Sequence, residues 1–144
     1  MEWYEYKKYE IRCALKGGFD MKLFRREEIP KNKLPGRTLQ IAMGKEAVSK
    51  SGTMMVGFAH YSAESGPMEP HQHVEEAIYV LKADKGWFRF GPSKDKLGDP
   101  VHLESGMILH FPPWEWHVFE YAEKGSIDIL FMYAQVDNLF KKPD

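Results

Sequence analysis

The strongest constraint on this chain is its punctuation. Gly17-Gly18, Pro35-Gly36, Ser51-Gly52, Ser65-Gly66, Lys85-Gly86, Ser105-Gly106 and Lys124-Gly125 place turn signals at short intervals along the whole sequence. Between them lie runs such as "TLQIAM", "TMMVGFAHYS", "EAIYVL", "GWFRFG", "MILHFPP", "WHVFEYA" and "SIDILFMYA". These are rich in β-branched and aromatic residues and too short for ordinary helices. "KYEIRCAL" alternates as well, with Tyr9, Ile11, Cys13 and Leu15 on one face, and reads as an early strand. "MKLFRREEIP" fits either a strand or one helical turn. "GPSKDKLGDP" is the one long polar stretch and reads as a hairpin connection. Roughly ten short strands at this rhythm predict an all-β sandwich or barrel. No linker interrupts them, so residues 1–144 read as one domain.

Composition narrows the function classes. The 144 residues are 43% apolar and 14% aromatic, enough for one hydrophobic core. The formal net charge is -1 and the basic residues are scattered, which argues against nucleic acid or a membrane surface as partner. No apolar stretch approaches the ~20 residues of a membrane helix. "MEWYEYKKYE" has no hydrophobic signal core, and Cys13 is the only cysteine, so the expectation is a cytoplasmic protein without an internal disulfide.

The chemistry concentrates in "EPHQHVEEAIYVL", residues 69–81. Positions i and i+2 of a strand face the same way, so His71 and His73 can point at one ion. Neutral imidazole suits zinc, manganese, iron, nickel or copper, with a carboxylate tolerated beside it. Strict alternation makes Glu75 the inward carboxylate, whereas a bulge or turn after His73 brings in Glu76. With Glu76 inward, Ile78 and Val80 follow it, and Tyr79 and Leu81 lie on the other face. Downstream, "GMILHFPPWEWH" joins a glycine turn, a strand, a proline corner and His117.

With these two stretches the sequence resembles the cupin superfamily, whose motifs read G-x5-H-x-H-x3/4-E-x6-G and G-x5-P-x-G-x2-H-x3-N. Gly106, Pro112 and His117 fall at the second motif's spacing, with Trp114 in place of its glycine and Tyr121 in place of its asparagine. In the first motif Gly66 precedes His71 by one residue fewer than usual, Glu76 comes early after His73, and the last glycine is displaced to Gly86. The resemblance implies a double-stranded β-helix, or jelly-roll barrel, over about residues 38–134. It also implies metal ligands at His71, His73, Glu76 and His117, holding one divalent transition ion (Fe, Mn, Ni or Zn). The N-terminal strand would pair with a partner's sheet in a homodimer.

A metal-dependent enzyme acting on a small polar or aromatic metabolite follows from that resemblance, of dioxygenase, isomerase or lyase type. The alternative is a non-catalytic ligand-binding or sensor cupin, with or without metal. A third reading is a stabilising subunit that works only with another protein. His60, Tyr61 and His110 are the candidates for proton transfer on substrate. Met54, Met55, Phe58, Phe131 and Tyr133 read as core. Trp114 and Trp116 either cap the pocket mouth or pack on neighbouring strands, and Arg37 reads as a surface arginine beside a turn, within reach of an anionic ligand.

Overall fold

The computed structural model describes residues 21–143, so the "KYEIRCAL" strand lies outside the described residues. Among these, eight strands form one sheet: β1 (Asn32–Leu34), β2 (Arg37–Gly44), β3 (Ser49–Lys50), β4 (Met55–Ser62), β5 (Glu76–Gly91), β6 (Val101–His102), β7 (Ile108–Phe111) and β8 (Trp116–Tyr133). Neighbours run β1-β2-β4-β8-β5-β6, with β3 beside β2 and β7 beside β5. All pairs are antiparallel except β2 with β3. This is the expected all-β jelly-roll barrel.

Fewer and longer strands appear than the turn rhythm suggests. "EAIYVL" and "GWFRFG" belong to β5, and "WHVFEYA" and "SIDILFMYA" belong to β8. Residues 76–84 pair with 126–133, and residues 86–91 pair with 116–121, so Lys85-Gly86 and Lys124-Gly125 are corners inside bent strands. The positive φ at each corner falls on the lysine, 50° at Lys85 and 59° at Lys124. The glycines serve close approach instead. A Cβ at Gly86 would lie 2.3 Å from Ile127 Cγ1, and one at Gly125 would lie 2.8 Å from the Asp84 carbonyl oxygen.

Alternation fills the barrel. Gly57, Ala59 and Tyr61 of β4, Ile78 and Val80 of β5, Leu109 and Phe111 of β7, and Ile127, Ile129 and Phe131 of β8 all point inward. With Leu103 and Phe119, most of them make one buried cluster. Each large side chain there contributes about 1.5–3 kcal/mol by leaving water. Phe131 is core as expected, but Met54 is exposed and Phe58 lies on the outer face beneath the Arg26 guanidinium, 4.4 Å from its ring.

"MKLFRREEIP" resolves into a single 3-10 turn, Arg26–Glu28. Its position is fixed from the sheet's outer side. The buried Gln40 amide donates to the Arg26 and Ile29 carbonyls at 2.9 Å each, and Arg26 makes a two-pronged pair with Asp128 on β8. "GPSKDKLGDP" spans the hairpin from β5 to β6, which are antiparallel neighbours.

Candidate metal centre

His71 and His117 meet because their backbones pair. Each N–H donates to the other's carbonyl at 3.0 Å, an isolated antiparallel bridge that ties the segment ahead of β5 to the start of β8. His73 is anchored from the other motif, its carbonyl accepting the Trp114 N–H at 2.7 Å. At Val74 the chain bends, and its N–H is taken by the Leu139 carbonyl at 2.9 Å. Regular strand begins only at Glu76. The bend resets the alternation, so Glu76 is buried with Ile78 and Val80, while Glu75 and Tyr79 are exposed.

The three imidazoles close into a cluster, with ring centroids 4.5 Å apart for His71–His117, 4.6 Å for His73–His117 and 5.5 Å for His71–His73. In each ring Nδ1 faces a backbone carbonyl: Glu69 at 3.0 Å for His71, Val74 at 2.7 Å for His73 and Glu115 at 2.9 Å for His117. A carbonyl only accepts, so each Nδ1 carries a proton and the lone pair of a neutral ring is on Nε2. Holding a ring in this state by hydrogen-bonding its other nitrogen is what metal-ligating histidines require.

Three further features fit an ion. The His117 Nε2 is buried and has no hydrogen-bond partner among the described residues, a state that ordinarily costs about 1–3 kcal/mol. His73 Nε2 lies 3.0 Å from Glu76 Oε2. With Nδ1 protonated, two acceptors at that distance need a proton or a cation between them. One nitrogen from each of the three histidines lies within 4.8 Å of the others. Nitrogens bound at 2.0–2.1 Å to one zinc are at most about 4.2 Å apart, so small ring movements complete a site. The three-histidine group can therefore hold a metal, with Glu76 joined to it through His73.

Electrostatics keep these rings ready. Burial pushes His71 down to about 4, opposed by the bond to the Glu69 carbonyl and assisted by the charges of His73 and Arg37. Burial pushes His117 down to about 3, assisted by His71 and His73. Both are neutral near pH 7 and need lose no proton to bind an ion.

The cluster opens into a cavity of about 280 Å³ lined by Arg37, Leu39, Ile41, Met55, Tyr61, Phe131, Tyr133 and Phe140 among others. Of the candidates for proton transfer, only Tyr61 lines it. His60 points to the opposite side of β4, 3.3 Å from Asp128 and beside Arg26. His110 is exposed on β7 and pairs with the equally exposed Glu75 at 2.8 Å. Neither ring is brought to the cluster, because inward positions of β4 and β7 are the alternate residues.

Tyr133 and Arg37 are lining residues that the sequence reading put in the core and at the surface. Burial raises the pKa of Tyr61 and of Tyr133 above the ordinary tyrosine value, with Glu76 adding to both, so each remains a hydroxyl donor. Trp114 faces a different, open groove with Glu75 and Gln135. Its φ is +66°, the left-handed backbone for which the motif's usual glycine is suited.

A jelly-roll barrel of this construction is the cupin fold, and the chain has it. The cupin-fold structures that resemble it include the polyketide cyclase RemF from Streptomyces resistomycificus, at 20% identity and TM-score 0.60 over 78% of each chain. A protein from Planctomyces limnophilus aligns at 18% identity and TM-score 0.61, over 81% of this chain and 91% of that one. Oxalate decarboxylase from Lactobacillus farciminis aligns at 14% identity and TM-score 0.60, over 81% of this chain and only 34% of the decarboxylase. No protein-family model matches the sequence, and no curated protein matches it. At these identities the likeness carries the fold and leaves the reaction to the site.

Proposed function

We propose that the protein is a metal-dependent enzyme acting on a small metabolite, with His71, His73, Glu76 and His117 holding one divalent transition ion (Fe, Mn, Ni or Zn). The observation that carries this reading is the set of three histidines with Nδ1 tied to carbonyls around a buried, partnerless His117 Nε2. Nothing else among the described residues supplies that nitrogen with a donor. A bound ion of this kind supplies Lewis acidity, polarising a carbonyl or activating a water.

The chain's own groups set what reacts there. Glu76 offsets one unit of the ion's charge without closing the site. Tyr61 holds a proton at its hydroxyl in the same cavity, with Tyr133 beside it, and both are suited to donate rather than to abstract. Leu39, Ile41, Met55, Phe131 and Phe140 favour a ligand with an apolar or aromatic body and exclude water from it.

The test begins with elemental analysis after incubation with Mn, Fe, Ni or Zn salts. One ion per chain is expected in the wild type and none in the His71→Ala/His73→Ala variant. Glu76→Gln should weaken metal binding by about tenfold or more, and Glu75→Gln should leave it unchanged. A protein that takes up no ion from any salt defeats the proposal. Turnover and oxygen uptake are then followed with hydroxy-acids, keto-sugars and catechols. Binding without conversion under every metal assigns the protein to the ligand-binding class instead.

A further inference from the structure

Among the described residues, the cavity lining has one charged group that the metal reading does not use. Arg37 opens β2 directly after the Pro35-Gly36 turn, and its side chain lines the cavity together with His71, His73 and Glu76. The turn that launches it is held firmly. Gly36 has φ +86°, its N–H donates to the Ser65 carbonyl at 2.7 Å, and an added Cβ would lie 3.1 Å from Met68 Cα.

The surroundings of Arg37 differ from those of the other half-buried arginines. Arg26 makes a two-pronged pair with Asp128, and Arg89 makes one with Glu120 at 2.7 and 2.8 Å. Among the described residues Arg37 meets no carboxylate. The one side-chain hydrogen bond it makes to a described residue runs from Nη1 to the Met68 thioether at 3.5 Å, and sulfur is a weak acceptor for a group with five donors. Its side chain nevertheless borders the site, because it lines the same cavity as His71, His73 and Glu76. Among the described lining residues Glu76 is the only carboxylate and Arg37 the only permanent cation, so a divalent ion would leave the cavity with a surplus of positive charge.

We propose that the cavity takes an organic carboxylate with an apolar body, and that Arg37 receives the carboxylate group. A planar guanidinium presents two parallel donors that match the two oxygens of a carboxylate. At about 280 Å³ the cavity has room on the order of nine waters, which limits the ligand to a small acid. Leu39, Ile41, Met55 and Phe131 would contact its body. The inference rests on the histidine cavity being the binding site, and it adds the class of ligand and the residue that selects it.

The probes are mandelate, its neutral amide and phenylphosphonate, titrated calorimetrically into metal-loaded and metal-stripped protein. In wild type, mandelate is expected to bind about tenfold or more tightly than mandelamide, a difference of about 1.4 kcal/mol. The preference should persist in stripped protein, where no ion can supply it. Arg37→Gln should abolish it while leaving mandelamide affinity unchanged, and Arg37→Lys should keep part of it. Thermal unfolding matched to wild type certifies each variant as folded.

Failure of metal uptake would defeat the proposed function and leave the stripped-protein comparison to decide on Arg37. Equal affinities for acid and amide, a preference surviving Arg37→Gln, or no mandelate binding at millimolar concentration would overturn the inference. Phenylphosphonate binding tighter than mandelate would overturn the carboxylate assignment.

Discussion

Lowering the pH of metal-stripped protein tests the histidine cluster through stability alone. Folding holds His71 at about 4 and His117 at about 3, against 6.5 for a free imidazole. As pH falls below about 6.5, the unfolded chain takes up two protons that the folded cluster refuses. The stabilisation associated with the neutral rings is therefore fully present above that value. It is lost progressively as the pH falls towards the folded values.

For one such group the loss between about pH 7 and pH 5 is roughly 2 kcal/mol, and the exact folded value hardly matters because the folded ring stays neutral across that window. His71 keeps some solvent contact, so about 3 kcal/mol is a fair figure for the pair, a large share of the 5–15 kcal/mol of an ordinary domain. Urea unfolding at the two pH values measures it, with the His71→Gln/His117→Gln variant as reference for every other titrating group. At an m-value of about 2 kcal/mol/M, the wild-type midpoint should fall about 1.5 M further than the variant's. Equal falls in both proteins would refute the claim that these rings are buried neutral. Adding the ion should raise the wild-type midpoint at the higher pH and lose that effect at the lower one, as protons compete for Nε2.

Two other outcomes are expected. The "KYEIRCAL" segment should add to a partner's sheet and cover an exposed edge, giving a homodimer; light scattering that finds a stable monomer near 16.8 kDa refutes it. Lys124→Gly should raise the melting temperature, because the left-handed backbone costs a side-chain-bearing residue about 1–2 kcal/mol and glycine's added chain entropy offsets only about 0.5–1 kcal/mol of that. No rise would refute the strain at that corner.

The barrel was legible because its evidence is local. Turn pairs and alternating runs each occupy fewer than about ten residues, and alternation alone puts Ile78 with Val80 and sets Tyr79 apart. Alternation fixes which residues share a face, however, and not which face is inside. His60 and His110 share their faces with outward residues of β4 and β7, and that depends on how the strands curve into the barrel. Tyr133 shows the opposite limit. Its sequence reads as core, but an inward aromatic near the end of β8 can equally be core or cavity wall until β5 is placed beside it. The Lys-Gly pairs show a third limit, since such a pair signals a turn without saying whether the strand ends there or bends and continues. Both lie inside long strands, where Gly86 packs against Ile127 and Gly125 against the Asp84 carbonyl.

The carboxylate shows most clearly where local reading ends. From spacing alone, Glu75 and Glu76 were both open, and the choice turned on whether the strand continued through His73. The bend at Val74 is held by the Leu139 carbonyl, which is remote in sequence, and the His73 carbonyl is held by Trp114 from the second motif. Contacts across the fold therefore turn Glu76 inward. The tautomers, by contrast, are set close by: the carbonyls that fix Nδ1 belong to Glu69, Val74 and Glu115, each within two residues of its histidine. Each histidine thus acquires its ligand-ready nitrogen from the adjacent backbone, while their convergence needs the barrel. A substitution that loosens the barrel should therefore disperse the three nitrogens before it changes which one of each ring is bare.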